Sequence, residues 1–238
     1  MVGLKIVTAT GTLAAAVAAQ SISYMPFGDS ITEIVCWRGY LWEDLQDAGY
    51  TDVDFVGSMT TQNPDGCPMS GYDIDNEGHS GYLAIDIANQ NQLVQWLQQN
   101  PADIITMHLG TNDIVQGHNV QEIIDAFTTL VEQMRDSNPS MKIIVAQIIP
   151  LSFNFGSATT ESLNQAIPGW AEGMNSTESP IWVVDMADGY TTNDLRDGVH
   201  PNDSGDRKMA DKWYPFLTHA IDMMSELEEP AAPVPPTC

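Results

Sequence analysis

The sequence Lys142-Ile-Ile-Val-Ala-Gln-Ile-Ile149 is an almost continuous apolar run rich in β-branched side chains. Two further runs have the same character, DIITMHL at 103–109 and IWVVD at 181–185. Strands of a parallel sheet have this composition because helices cover both of its faces. The three runs therefore predict strands of a parallel sheet that lies between layers of helices.

Outward from these runs, predicted strands alternate with predicted helices along the chain. The strands are Ser23–Phe27, Val53–Val56, Asp103–His108, Lys142–Ile148 and Ile181–Val184, and the helices are Tyr40–Ala48, Leu83–Gln99, Val120–Asp136, Glu161–Met174 and Asp203–Met224. This order predicts an α/β fold, a three-layer α/β/α sandwich around a central parallel five-stranded sheet. Sites in such sheets form beyond the carboxyl ends of the strands. The long loop from Ser58 to about Gly81 is one such place.

The two ends of the chain differ in composition from the middle. Residues 1–20 combine Lys5 with an apolar stretch and small residues, the pattern of a secretory signal peptide. That stretch of about 14 residues is shorter than the roughly 20 that a membrane helix needs. We therefore expect a secreted, extracellular protein with one domain over 21–224. Residues 225–238 are predicted to form a Pro-rich linker.

Three cysteines occur in the chain. In a secreted chain Cys36 and Cys67 are the expected disulfide pair, which leaves Cys238 as the odd cysteine. Two N-glycosylation motifs begin at Asn175 and Asn202. Asn175 is the better candidate, because a glycan on Asn202 would crowd the nearby His200.

The charge balance excludes several classes of partner. With 32 acidic and 8 basic residues, the formal net charge is −24. Nucleic acids and anionic membranes are repelled by such a chain, whereas a neutral substrate such as a sugar ester is compatible with it. No spacing suggests zinc, and we expect no metal and no cofactor. The acidic residues around the long loop are interpreted as a solvated face rather than a calcium site: Asp52, Asp54, Asp65, Asp73, Asp75 and Glu77.

Four segments at or near predicted strand ends carry candidate chemistry. Gly28-Asp29-Ser30 follows the first strand, Asn76–Tyr82 ends the long loop, Leu109–Asp113 follows the third strand, and Asp197–His200 lies near the end of the domain. Each segment alone also fits an ordinary turn. The spacing of Asp197 and His200, however, places a carboxylate beside an imidazole, as in a base that is held by an orienting acid.

Together, the four segments resemble the SGNH (GDSL-type) hydrolase superfamily, over about residues 23–219. The resemblance implies a flavodoxin-like fold and a serine mechanism. In it Ser30 is the nucleophile, His200 the base and Asp197 the residue that orients the base. The implied oxyanion hole consists of the backbone N–H groups of Ser30 and Gly78 and the side-chain amide of Asn112.

A finer resemblance is to carbohydrate esterase family 3. It rests on MPFGDSITE at 25–33, on NEGHSGY at 76–82 and on the Pro-Ala-Asp strand that leads to HLGTNDI. It implies an enzyme that removes acetyl groups from plant cell-wall polysaccharide, above all acetylxylan. We expect a monomer. The chain departs from this family at Ile34-Val35-Cys36, where glycine is usual, which leaves the nearby substrate rim open. Fungal polysaccharide esterases often carry a Pro-rich linker that leads to a cellulose-binding module. Residues 225–238 resemble such a linker.

Two other functions remain open on the sequence. An esterase or thioesterase for lipids or small acyl esters would use the same residues, although no long apolar lid is evident. A non-catalytic carbohydrate-binding protein is the other, and the intact catalytic set weighs against it. Trp37 and His79 are candidates for the substrate rim, and Tyr82 and Trp170 for stacking on sugars. His108 is interpreted as a core histidine.

Overall fold

One sheet of six parallel strands forms the centre of the computed structural model, which describes residues 21–152 and 157–228. The strands are β1 (Ile22–Gly28), β2 (Val53–Phe55), β3 (Glu77–Gly78), β4 (Ile104–His108), β5 (Lys142–Gln147) and β6 (Ile181–Asp185). Their order is β2-β1-β4-β5-β6, and β3 pairs with β1. The predicted signal peptide, Cys238 and most of the predicted linker lie outside the described residues.

Helices connect the strands, as expected for parallel neighbours. They are α1 (Ser30–Glu33), α2 (Trp37–Asp47), α3 (Ala84–Asn89), α4 (Gln92–Gln99), α5 (Thr111–Val115), α6 (Val120–Ser137), α7 (Ser157–Met174) and α8 (Asp203–Glu228). A 3-10 turn spans Thr192–Asp194. The predicted three-layer α/β/α architecture is confirmed. None of the helices in the described part of the chain is both long and apolar enough to cross a membrane.

Alternate side chains of the strands enter two separate apolar cores. Met25, Ile105 and Ile143 are in register and join the core beneath α3, α4, α6 and α7. Their neighbours Tyr24 and Ile104 point the other way, into the core beneath α2 and α8. This follows from the two-residue period of a strand. Since helices cover both faces, nearly continuous apolar strands are required, and this is the pattern that the sequence shows.

The predicted helix Leu83–Gln99 is wrong in one respect, because the chain breaks it into α3 and α4. Asn91 lies between the two helices in the left-handed conformation, with φ 52°. Asparagine is one of the few residues that tolerate this conformation. The side-chain amide of Gln133 donates to Ala88 O and to Asn91 Oδ1, each at 3.1 Å. These bonds satisfy the carbonyl oxygen of Ala88 and the side-chain oxygen of Asn91 at the break between the two helices.

The long loop between β2 and β3 is fastened to the start of the domain. The predicted disulfide between Cys36 and Cys67 is confirmed, with 5.5 Å between the Cα atoms. Arg38 is fully buried, and its guanidinium donates to four carbonyl oxygens at 2.7–3.0 Å. Two of these belong to Thr32 and Glu33 and two to Ile74 and Thr61. One side chain thus ties α1 to the long loop.

Candidate active site

Ser30, His200 and Asp197 form a continuous chain of hydrogen bonds beyond the carboxyl end of β1. His200 Nε2 lies 2.8 Å from Ser30 Oγ, and His200 Nδ1 lies 2.7 Å from Asp197 Oδ2. An ionised carboxylate can only accept, so Nδ1 carries the proton and Nε2 is left to accept from the serine hydroxyl. This is the arrangement that a base needs to take a proton from Ser30.

The Asp197 carboxylate is arranged to remain charged. Its partial burial acts to raise the pKa, but hydrogen bonds from the backbone and ring of His200 and from the backbone of Val199 outweigh this effect and lower the pKa to about 2. The two backbone N–H groups donate to Asp197 Oδ1 at 2.8 and 3.0 Å. With one oxygen held by the turn, the other remains directed at the imidazole.

The loop that carries His200 is anchored to its surroundings at several points. Ser152 N–H donates to Gly198 O at 2.9 Å, which links the loop to the segment after β5. Arg196 donates to Asn63 Oδ1 at 2.9 Å and to Ile34 O at 3.0 Å. The base is therefore positioned by contacts with the long loop and with the segment that follows Ser30.

Asn112 lies in the first turn of α5, between two segments of the site. Its Nδ2 donates to Tyr82 O at 3.0 Å and, in a longer bond, to Asp29 Oδ2 at 3.3 Å. Asp29 is fully buried and caps α1 by accepting from Ile31 N–H. Burial raises the pKa of Asp29 to about 7. The structure therefore brings the predicted amide donor next to the residue that precedes Ser30.

The predicted role of the Gly78 backbone N–H is not supported. This N–H donates to Asn76 Oδ1 at 2.9 Å, and Gly78 is buried in β3. A Cβ on Gly78 would lie 2.5 Å from Glu33 N, so the glycine permits close packing against α1. In the same loop Gly81 has a φ of +82° and open space around it. Within the described residues the N–H groups of Ser30 and Gly81 have no acceptor.

The two predicted rim residues differ in their surroundings. The prediction for Trp37 is wrong, because its side chain is 1% exposed, packs against Trp213 and donates from Nε1 to Ile31 O. Sequence proximity to Ser30 gave no indication that the indole points into the core. His79 is partly exposed, and its Nε2 lies 2.6 Å from Glu77 Oε1. Its role at the rim stays a prediction.

Two carboxylates that the sequence reasoning did not place in the site hold residues 77–82, here named the 77–82 loop. Glu33 accepts from the backbone N–H and the hydroxyl of Ser80. Glu77 accepts from Ser58 N–H at 2.8 Å and from Ser58 Oγ at 2.6 Å, in addition to His79. Glu77 is fully buried, so its interpretation as part of a solvated acidic face is wrong. The available signal in the sequence was position: Glu33 stands three residues after Ser30, and Glu77 lies in the motif NEGHSGY.

The remaining titratable candidates do not extend the site. His108 is fully buried, as predicted for a core residue, and burial lowers its pKa to about 4. The neutral ring accepts from Ile149 N–H at 3.4 Å. In the described ranges no group of three or more His, Cys, Asp or Glu side chains could hold a metal ion.

Residues 27–208 match the sequence model of the GDSL-like lipase/acylhydrolase family. The chain belongs to this family. The match covers the end of β1, Ser30, the 77–82 loop, Asn112 and the His200 loop, so all parts of the observed hydrogen-bonded site lie within it.

Several relatives of this GDSL-family chain are carbohydrate or acetyl esterases. A carbohydrate esterase of family 3 from Talaromyces cellulolyticus is 43% identical, with a TM-score of 0.80 over 85% of this chain and 99% of that one. An acetyl esterase solved as a serine-to-alanine mutant with an acetate ion is 42% identical, with a TM-score of 0.81 and the same coverage. The "Multidomain esterase" of Ruminococcus flavefaciens is 30% identical over 82% of this chain.

This GDSL-family domain is thus an ester hydrolase by family, and the resemblance to carbohydrate esterase family 3 is confirmed. The chain spans 28% of the length of the Ruminococcus flavefaciens esterase. The similarity to that protein therefore concerns one of its parts and not its whole length.

Proposed function

We propose that the chain is a secreted serine esterase that removes acetyl groups from plant cell-wall polysaccharide, with acetylxylan as its principal substrate. The observation that carries the proposal is the Ser30–His200–Asp197 chain, with heavy-atom separations of 2.8 and 2.7 Å. It occurs on a fold shared with an acetyl esterase and with a family 3 carbohydrate esterase. No cofactor enters the proposed reaction.

In the acylation step His200 Nε2 takes the proton of Ser30 as Oγ attacks the carbonyl carbon of the acetyl group. Asp197 stabilises the imidazolium that forms. The carbonyl oxygen becomes an oxyanion while the carbon is tetrahedral. His200 then gives its proton to the sugar oxygen, the C–O bond to the sugar breaks, and acetyl-Ser30 remains.

Three donors are proposed for the oxyanion: the backbone N–H groups of Ser30 and Gly81 and the Nδ2 of Asn112. Gly81 replaces Gly78 because its N–H is unpaired among the described residues, whereas that of Gly78 is bonded to Asn76. Gly81 directly precedes Tyr82, whose carbonyl accepts from Asn112. The long bond from Asn112 to Asp29 is the one that a substrate oxyanion replaces.

Deacylation repeats these steps with water. His200 takes a proton from a water molecule, whose oxygen attacks the acetyl carbon of acetyl-Ser30. The tetrahedral intermediate occupies the same donors, and His200 returns the proton to Ser30 Oγ as acetic acid leaves. Each cycle consumes one water and produces one free sugar hydroxyl and one acetic acid, which loses its remaining acidic proton to solvent to become acetate.

The substrate class is proposed from charge and from the relatives. A chain with a formal charge of −24 repels anionic partners, and acetylated xylan without acidic branches carries no charge. Secretion is proposed from the signal-peptide pattern, and the Cys36–Cys67 disulfide fits an oxidising compartment. For glycosylation Asn175 remains the proposed site, because Nδ2 of Asn202 donates to Asn193 O at 2.8 Å.

The test is acetate release from acetylated xylan by the wild type and by Ser30→Ala, with Ser162→Ala as a matched control. Ser162 lies on the exposed side of α7, and its hydroxyl bonds within that helix. We expect Ser30→Ala to lose at least about 10³-fold in kcat/KM and the control to retain activity. Equal activity of Ser30→Ala and wild type contradicts the mechanism. Hydrolysis of a long-chain acyl ester without acetate release from xylan contradicts the substrate assignment alone.

A further inference from the structure

The phenol ring of Tyr82 is exposed directly beside the proposed oxyanion donors. Its side chain is one of two large apolar side chains that are well exposed in the described ranges, at 39%, and the other is Val115. Tyr82 follows Gly81, and its carbonyl oxygen accepts from Asn112 Nδ2 at 3.0 Å. An exposed aromatic ring at this position has no role in the steps of the ester cleavage.

The Tyr82 ring packs on His79, which stacks on Trp96, and these rings extend towards the core. The centroids of Tyr82 and His79 are 5.0 Å apart, and His79 stacks on Trp96 at 4.1 Å with an interplanar angle of 14°. Trp96 in turn lies 6.2 Å from Phe27 of β1. Glu77 fixes the orientation of His79 through the bond to Nε2. A ring supported in this way loses little freedom when a ligand packs on it.

We propose that Tyr82 forms the surface on which the sugar ring next to the scissile acetyl group stacks. The inference rests on the proposed function and specifies how the sugar part of the substrate is bound. A pyranose ring has an apolar face of C–H groups that packs on an aromatic ring, and aromatic side chains dominate the contact energy of such sites. The phenol hydroxyl also remains available to a sugar hydroxyl.

Among the described residues, the other aromatic candidates from the sequence, Trp37 and Trp170, do not offer such a surface. Trp37 is buried against Trp213. Trp170 packs between α6 and α7, where its Nε1 donates to Thr128. Val115 is exposed on α5 but has no ring. The 77–82 loop therefore supplies both a proposed oxyanion donor, at Gly81, and the sugar contact, at Tyr82.

The experiment compares Tyr82→Ala, Tyr82→Phe and a control, Tyr50→Ala, on acetylated xylotetraose and on ethyl acetate, which has no ring to stack. Tyr50 precedes β2 and lies at the opposite, amino-terminal edge of the sheet. For Tyr82→Ala we expect the loss of kcat/KM on the oligosaccharide to exceed the loss on ethyl acetate by about tenfold, mainly through KM. Tyr82→Phe keeps the ring and should restore most of this preference, and Tyr50→Ala should leave the ratio unchanged.

The outcomes separate the two proposals. If the wild type cleaves both substrates and Tyr82→Ala loses equally on both, or on neither, the stacking role is overturned and the proposed function stands. If the wild type cleaves ethyl acetate but releases no acetate from the oligosaccharide, the proposed substrate class and the stacking role both fail.

Discussion

Gly78 and Gly81 lie three positions apart in the 77–82 loop and use different properties of glycine. At position 78 glycine is needed because it has no side chain. The backbone of Glu33 lies where a Cβ of residue 78 would be. Gly81 needs the backbone freedom, because it occupies the third position of a turn closed by Tyr82 N–H and His79 O at 3.1 Å, with positive φ. This second conformation leaves the Gly81 N–H unpaired, which makes it the proposed donor.

Removal of the Asn112 amide tests the proposed oxyanion donors at the level of single residues. We expect Asn112→Ala to lower kcat by about 10²–10³-fold, because one preorganised donor is lost. A crystal structure of the wild type inactivated by a phosphonate ester gives the second readout. The phosphoryl oxygen should lie within about 3.1 Å of the Gly81 and Ser30 nitrogens.

Asn119→Ala at the start of α6 is the control for Asn112→Ala, since it removes a helix cap outside the site. A phosphoryl oxygen bonded to Gly78 N instead of Gly81 N contradicts the assignment made here.

Single residues were predictable from sequence where a motif fixes a spacing. Asp197 and His200 are three positions apart, so one turn decides their contact, and the motif with Ser30 located the proposed nucleophile. Trp37 and Gly78 were not predictable in the same way. The direction of an indole and the partner of a backbone N–H depend on packing between distant segments, here on Trp213 and on Asn76.

The helices around the site are stabilised partly by residues of other elements. α2 begins at Trp37, and the preceding Cys36 provides no side-chain cap. Instead, Asp206 on α8 accepts from Trp37 N–H at 3.1 Å. Burial raises the pKa of Asp206 to about 7, although bonds from the Cys36 and Trp37 backbone act against this rise. The start of α2 therefore depends on a buried carboxyl group of α8.

This carboxyl group predicts a pH dependence of stability with a definite sign. A folded-state pKa raised from 3.8 to about 7 means that folding favours the protonated form. The contribution is complete below about pH 4 and is lost as the pH rises through about 7. Asp206→Asn cannot ionise and keeps an oxygen acceptor. We therefore expect the free energy of unfolding of this variant, relative to wild type, to increase between pH 5 and pH 8.

Urea denaturation at both pH values measures this difference, with Asp47→Asn at the exposed end of α2 as the control. Asp29 shifts in the same direction but is present in all three proteins, so its effect cancels. A difference between Asp206→Asn and wild type that is the same at pH 5 and pH 8 contradicts the prediction.

The type and ends of an element were predictable where it is long enough to repeat its apolar pattern, and short elements were not predictable. The strands of both cores and the helix Val120–Ser137 have the expected type and nearly the expected ends. Periodicity continues through the break at Asn91, because the two helices on either side bury side chains in the same core. β3 has two residues, too few to show any period.

The molecule as a whole is organised around β1, which pairs with β2 and β3 on one side and with β4 on the other. The long loop between β2 and β3 crosses this region and contacts the loop that carries His200, through Asn63 and Arg196. The disulfide joins the same long loop to the start of α2. Its constraint is therefore applied close to the proposed catalytic residues.

Reduction of the disulfide is expected to destabilise the whole domain. Cys36 and Cys67 are 31 residues apart, and closure of a loop of this size removes enough chain entropy from the unfolded state to stabilise by about 3–4 kcal/mol. Urea midpoints with and without dithiothreitol measure the effect. The double variant Cys36→Ala/Cys67→Ala is the matched control and should not respond to the reductant. Identical midpoints for oxidised and reduced wild type contradict this expectation.

The position of β1 early in the sequence also bears on how the protein is made. Ser30 follows the first described strand, whereas its hydrogen-bonding partner His200 is 170 residues further along the chain. A ribosome that has completed the serine must still add most of the domain before the imidazole exists. With the roles proposed here, nascent chains and products that end before residue 197 carry the nucleophile without its base. Hydrolytic competence is thus acquired only after the ribosome has added nearly all of the domain's sequence.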